Sequence, residues 1–468
     1  MDDLSGMTGR APDAGLPLGR RRMAIVAVLT AMSLVVLDAG MTNVALPSLS
    51  RALYVTPAAT VLVITAYQAA LIMALLPCAT LGERFGQRRV FAGGVALFTA
   101  ASLLCALSPS LPWLVAARFV QGLGGAAVMA LGVALLRSAV PGNMFGSAIG
   151  WNALTVALSS AAAPTLGAFT VESLGWTWLY LVNLPLGILV LVAARALPIA
   201  HRSRQPIDAV SVALNGATFA LLVVAAELLV ERWIASVFLA ATGLLTLLAL
   251  VSRERPKLAP MIPLDLLANR SFRTSVIASV CCFTGQTAGL VALPFYFQNV
   301  LGQTPVITGL YMTAWPLSVA IAVLATRRIG DRLSSGCLCA VGGGLLSLGL
   351  AAAALWPLEG APQPLILCVI LCGSGFGLFQ VSNNRSMFES APIARSGAAG
   401  GLQGTARLGG QTAGALLITL LMTLAPIGVA ARIGLGIGAI LAMAGAAVSA
   451  IRSSAARGHG PLAVEVGE

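Results

Sequence analysis

Asp38 and Arg118 stand out first, because each is a charge set inside a long apolar run. An ionisable side chain at the middle of a membrane span is costly unless it is paired or hydrated. Asp38 lies about 15 residues along a run at 24–46, roughly 22 Å from its start at 1.5 Å per residue. Arg118 lies six to eight residues into a run at 111–134 that crosses in the opposite direction, roughly 10 Å below the far face. The two depths nearly match, which predicts that the residues face each other, directly or through water and Gln121. Dry surroundings favour the protonated form of a carboxyl and a nearby guanidinium favours the ionised form, so moving the arginine or admitting solvent lets such a group exchange a proton. A cation would compete with the proton for the same carboxylate and couple the two by exchange. A static pair that only fixes helix packing is the competing reading.

Further polar and aromatic residues lie in apolar runs: Tyr67, Gln68, Gln121, Trp151, Asn152, Gln286, Gln380, Asn383 and Asn384. Aromatic faces attract lipophilic cations and amides accept varied partners, so these are candidates to line a substrate cavity. Each equally suits an interhelical hydrogen bond or an interfacial anchor. Glu227 and Glu231 share a helical face near the end of a run and read as solvated at the interface. The sequence has no phosphate-binding glycine loop and no nucleophile–base set, and its two histidines lie far from any acid or cysteine cluster. Neither an enzyme, a metal nor a cofactor is expected. The eight cysteines read as free thiols.

The elements that must position these groups are membrane helices. Only 9% of residues are charged and 58% are apolar, which excludes a water-soluble surface. The +12 net charge is spread over many short loops without a continuous stripe, so membrane topology explains it and nucleic acid does not. Long apolar runs bounded by Arg, Gly or Pro give six spans between 24 and 198, two at 209–230 and 233–251, and six between 272 and 451. With the N-terminus inside, the inner loops collect Arg84, Arg88, Arg89, Arg137, Arg202 and many more, and the outer loops keep only Arg51, Arg232 and Arg432. Both termini are therefore expected in the cytoplasm.

A repeat supports the count independently of hydropathy. Ala292-Leu293-Pro294 repeats Ala45-Leu46-Pro47 at an offset of 247, and Ile329-Gly330-Asp331-Arg332 matches Leu81-Gly82-Glu83-Arg84 at 248. Six spans fill about 175–180 residues, so this offset leaves room for two extra helices between two sixes. The expected fold is an all-α integral membrane protein of 14 transmembrane helices, two six-helix bundles with an inserted pair. Its divisions are a tail at 1–22, a bundle at 23–200, the pair at 201–256, a bundle at 257–451 and a tail at 452–468. Parallel repeats of six helices are the plan of the major facilitator fold.

Residues 24–451 resemble the major facilitator superfamily, and within it the fourteen-span drug/proton antiporters of the EmrB/QacA type. The motifs that carry the resemblance are LDAGMTNVALP from Leu37, ATLGERFGQRR from Ala79, RFVQGLGGA from Arg118, SSAAAPTLGA from Ser159, WTWLYLVNLPLG from Trp176 and LPFYFQNVLGQTP from Leu293. In the fifth helix Pro164 and Gly167 keep the antiporter pattern, while Ser159, Ala163 and Ala168 stand where it has glycines. The resemblance implies proton-coupled export of lipophilic or cationic drugs, biocides or dyes by alternating access in a bacterial inner membrane, with protons and the lipid bilayer as the other partners. The short charged segment at Leu81–Arg89 also suits a conformational gate at Gly82, Glu83, Arg84, Gly86 and Arg88, repeated at Asp331 and Arg332, in which Glu83 pairs with Arg88 or a helix N-terminus; ordinary positive-inside charge explains the arginines but not the repeat. Export of one specific metabolite or antibiotic, an uptake symporter and a non-transporting membrane protein remain alternatives, and whether a periplasmic adaptor joins the chain is left open.

Overall fold

A computed structural model describes residues 16–141, 144–198, 208–257, 264–329, 333–357, 361–392 and 396–458. Long Leu-, Ala-, Val- and Gly-rich runs become helices because a backbone in hydrocarbon must satisfy its own hydrogen bonds. In chain order these are α1 (Leu18–Ala52), α2 (Pro57–Phe85), α3 (Gln87–Ala106), α4 (Leu111–Ala139), α5 (Phe145–Leu174), α6 (Trp178–Ala196), α7 (Ala209–Glu227) and α8 (Trp233–Glu254). They continue with α9 (Arg270–Val300), α10 (Pro305–Ile329), α11 (Ser335–Ala354), α12 (Leu365–Glu389), α13 (Ser396–Leu424) and α14 (Ile427–Gly458). Local chemistry sets the starts. The Thr56 hydroxyl accepts from Ala59 N just before Pro57, the Asn269 and Ser334 side chains cap α9 and α11, and the Asp208 carboxylate caps α7. Gly86, at φ 99°, makes the tight turn from α2 to α3 that a side chain would strain.

Among the described residues thirteen helices are long and apolar enough to cross a membrane. The remaining one, α13, has 29 residues, but Gln403, Arg407 and Gln411 dilute its hydropathy. It is packed like the others. The packing pattern recurs eight helices along the chain. α1 packs on α5 and α6, and α2 and α3 pack on α4; correspondingly α9 packs on α13 and α14, and α10 and α11 pack on α12. The two sets meet chiefly through α2 with α13 and α5 with α10, pairs that the repeat interchanges. α7 and α8 pack on each other, α7 also touches α2 and α13, and the pair is the least buried of the spans.

Helices alternate in direction, so the start of α1 and the end of α14 share one end of the bundle, here the tail end. At the opposite, far end one buried cluster joins Leu46, Leu49, Leu114 and Tyr180 of the first set to Ala292, Phe295, Phe297 and Met312 of the second. At the tail end the first set has a separate cluster, including Val28, Leu75, Leu131 and Leu197, to which Leu408 alone comes from the second set. The second set has a small one there of Leu266, Phe272, Met387 and Ala399. Polar ties between the sets also fall toward the far end. Arg51 Nη2 donates to Gln298 Oε1 at 3.1 Å, Gln298 Nε2 to Val44 O at 3.2 Å, and Val306 N to Glu172 Oε2 at 3.1 Å. Large apolar side chains such as Phe238, Ile440, Leu245 and Leu324 cover the perimeter, a surface suited to lipid.

Candidate functional site

Five of the first six spans, α1 to α4 and α6, converge on Asp38. Arg118 Nη1 donates to Asp38 Oδ2 at 2.5 Å, and both side chains are 1% exposed. The other carboxylate oxygen, Oδ1, accepts from Gln121 Nε2 at 3.0 Å and from Asn183 Nδ2 at 2.7 Å. Arg118 is held on its other sides by Gln121 Oε1 at 2.5 Å, by Val63 O at 3.3 Å, and by the Tyr67 and Tyr180 rings at 4.1 Å and 5.7 Å. Ser102 Oγ accepts from Gln121 Nε2 at 2.8 Å. Depth matching therefore paired Asp38 and Arg118 rightly, and directly rather than through water. A buried pair survives desolvation only when the remaining lone pairs and protons are bonded, which is what Gln121, Asn183 and Val63 provide.

Sequence reading missed Ser102, Tyr180 and Asn183. Tyr180 and Asn183 lie inside WTWLYLVNLPLG, whose lone amide in an apolar run was the available signal. Tyr67 and Gln121, expected in a cavity wall, belong instead to this closed cluster, 2% and 0% exposed. Asn383 Nδ2 donates to Ser275 O and Ser279 Oγ, tying α12 to α9, and its Oδ1 is buried without a partner. Asn384 Oδ1 accepts from Gln403 Nε2 at 3.1 Å, tying α12 to α13. Trp151 is 58% exposed and shares a helical face with the exposed Leu158 and Phe169, so it sits on the perimeter. Gln68, Asn152 and Gln286 each keep a buried amide oxygen without a partner, and Gln380 is half-buried. Glu227, read as solvated, is half-buried with Oε1 unpartnered.

The fifth helix packs as its small residues allow. A side chain at Gly167 would meet the Met41 backbone at 2.7 Å, one at Gly40 would meet Ala163, and one at Gly309 would meet the Pro164 carbonyl at 2.7 Å. α5 is thus wedged between α1 and α10, and Thr165 and Thr313 hydroxyls bond across it at 2.6 Å. In the α2–α3 loop, Gly82 is pressed on Leu131, Arg84 lies over the Phe85 ring, and Arg88 Nη1 reaches Leu197 O at 3.5 Å. Glu83 is exposed, and its expected pairing with Arg88 is absent because Arg88 turns to the end of α6. Asp331 and Arg332 lie outside the described residues.

Comparison with known proteins gives these observations a family. Residues 28–415 match the family model described as Major Facilitator Superfamily. The chain is 39% identical over 443 residues to the uncharacterized transporter YebQ of Escherichia coli (strain K12), covering 94% of this chain and 97% of that one. It is 27% identical to the riboflavin transporter RibZ of Clostridioides difficile (strain 630), covering 79% and 81%. It is 32% identical to the multidrug resistance protein Stp of Mycobacterium tuberculosis (strain CDC 1551 / Oshkosh), covering 84% and 74%. A crystal structure of a peptide transporter POT in complex with sulfate superposes with a TM-score of 0.69 at 14% identity, covering 96% of each chain, a likeness of fold. The fold, the repeated packing and the family match converge: this chain is a membrane transporter that belongs to the Major Facilitator Superfamily.

Proposed function

We propose that the protein is a proton-driven exporter of small lipophilic molecules, working by alternating access between its two six-helix sets. The observation that carries this reading is the Asp38–Arg118 pair, an ionisable pair sealed among uncharged polar partners in the middle of an otherwise apolar bundle. The clustering of arginines in alternate loops supports a cytoplasmic tail end. With that orientation the shared far-end core makes this an inward-facing arrangement. Rocking the sets would move α1 and α5 against α9 and α10, disturb the Asp38 cluster and admit water. A proton taken up by the carboxylate then removes the charge attraction to Arg118, and its release restores it.

The likeness to Stp supports export of drugs, and the likeness to RibZ supports flavin-sized aromatic cargo of no fixed positive charge. Direct competition of a cationic cargo for Asp38 is disfavoured by this conformer, in which both carboxylate oxygens are occupied and the group is out of reach. Purified protein in liposomes, given an imposed pH gradient and a panel of lipophilic fluorophores, tests the reading. At least one fluorophore is expected to move only when the gradient is present. Movement down its own gradient alone, indifferent to pH, would contradict proton drive.

A further inference from the structure

Arg407 is a second charge inside a span and has no part in the Asp38 cluster. It is the twelfth residue of α13, about 17 Å along the helix. Among the described residues it makes no ion pair, and its Nε is buried without a hydrogen-bond partner. A cation held at this depth without a carboxylate, its Nε buried and the rest of the side chain half-buried, marks a binding site more readily than a packing device.

Helix geometry says where it points. On α13, Gly404 lies against Leu75 of α2, and Leu408 joins the cluster around α2. Gly410 and Gly414 lie against Phe283 and Thr284 of α9. At 100° per residue, Arg407 and Gln411 fall between these two contact faces, and the exposed Ala413, Thr423 and Leu424 fall across the helix from them. α2 and α9 do not pack against each other. Arg407 is therefore aimed between α2 and α9, at the seam of the two six-helix sets. On the opposing wall, Gln68 lies one turn from Ile72, on the α2 face that meets α13, and its Oε1 is buried and unpartnered. Arg118 touches α2 at Val63 and over the Tyr67 ring, roughly 15 Å and 9 Å along α2 from the level of Arg407, so the two charged sites are separate.

We propose that Arg407 is the cargo-recognising cation of the central crevice, taking an anionic oxygen of an aromatic cargo (a carboxylate, enolate or phenolate), while Gln68 Oε1 accepts from a donor group of the same molecule. The inference rests on the transport reading above and sharpens its substrate class: lipophilic acids and zwitterions are preferred over permanent cations. Guanidinium suits this task because it presents planar paired donors and stays charged at any working pH.

Equilibrium binding to the detergent-purified full chain, which needs no coupling, tests it with a matched pair of probes: pyrenebutyrate and a pyrenebutyl-trimethylammonium ion. Wild type is expected to bind the acid about tenfold or more tightly than the cation, the size of one charge-assisted hydrogen bond. Arg407→Gln should lose that preference, Arg407→Lys should keep part of it, and Gln68→Leu should weaken the acid without reversing the order. All variants must elute as the wild type does, and Arg407→Lys guards against a folding defect. Equal binding of both probes to wild type, an unchanged acid affinity in Arg407→Gln, or displacement of the acid by millimolar chloride alone would overturn the assignment. Failure of pH-driven transport with the acid preference intact would instead count against proton drive and leave Arg407 as the binding cation.

Discussion

At the scale of single residues, the polar groups divide into those that are sealed and those that are open. Asp38 and Arg118 were legible in the sequence because a charge in an apolar run has few reasons to be there. Asn183, Ser102 and Tyr180 were not, because uncharged polar side chains occur throughout membrane helices and their partners come from distant segments. Trp151 shows the converse: an aromatic residue in an apolar run reads alike whether it lines a cavity or faces lipid. The pair itself yields a stability prediction. Arg118→Ala leaves the Asp38 carboxylate buried without its cation and should cost about 3–5 kcal/mol, seen as a large drop in detergent unfolding temperature. Asp38→Asn, which keeps an acceptor for Arg118, should cost less. Equal losses would mean that the cluster is not held by charge.

At the scale of helices, the apolar runs and the repeat agree on fourteen spans. Among the described residues thirteen helices are long and apolar enough to cross, since the polar face of α13 that carries Gln403, Arg407 and Gln411 lowers its average. The 247–248 residue offset required a helix there regardless. The same offset places Gly285 where the first set has Asp38, and a side chain at Gly285 would meet Gly438 O at 2.5 Å, so the second set closes on α14 where the first holds its charge. The inserted pair is tied by a polar cluster at the tail end. The Asp208 carboxylate caps α7 and bonds Arg253 at 3.0 Å and Lys257 at 2.5 Å, while Lys257 also bonds the buried Glu254. Arg253 first, then Lys257, hold the Asp208 carboxyl well below the usual carboxylate range. A lowered value contributes stability above the ordinary carboxylate pKa near ~4 and loses it only as pH falls through the lowered one. Asp208→Ala should therefore cost about 1 kcal/mol for the lost cap. The deficit should be the same in thermal melts at pH 8 and pH 5, and a deficit that vanished by pH 5 would contradict the arrangement.

At the scale of the molecule, the two sets share a large buried core at the far end, while at the tail end only Leu408 of the second set joins the core of the first. The sequence announced two halves through its repeat but was silent on which end is closed, because a repeat is the same in every conformer. Closing the far end permanently should stop transport. With the eight native cysteines replaced, Arg51→Cys plus Gln298→Cys joined by a bis-methanethiosulfonate linker long enough to span the native side-chain contact should arrest a liposome assay that reductant restores. Unimpeded transport by the cross-linked protein would mean that this end does not open.

The central claim is that Asp38 carries the proton that drives cargo movement, and proton flux reads it most directly. Liposomes holding the full chain and the pH dye pyranine, challenged with a transported fluorophore, should show a cargo-dependent pH change for wild type. With Asp38→Asn that change should be lost while cargo exchange across the membrane at equal pH persists. An undiminished, cargo-dependent pH change in Asp38→Asn would contradict the claim.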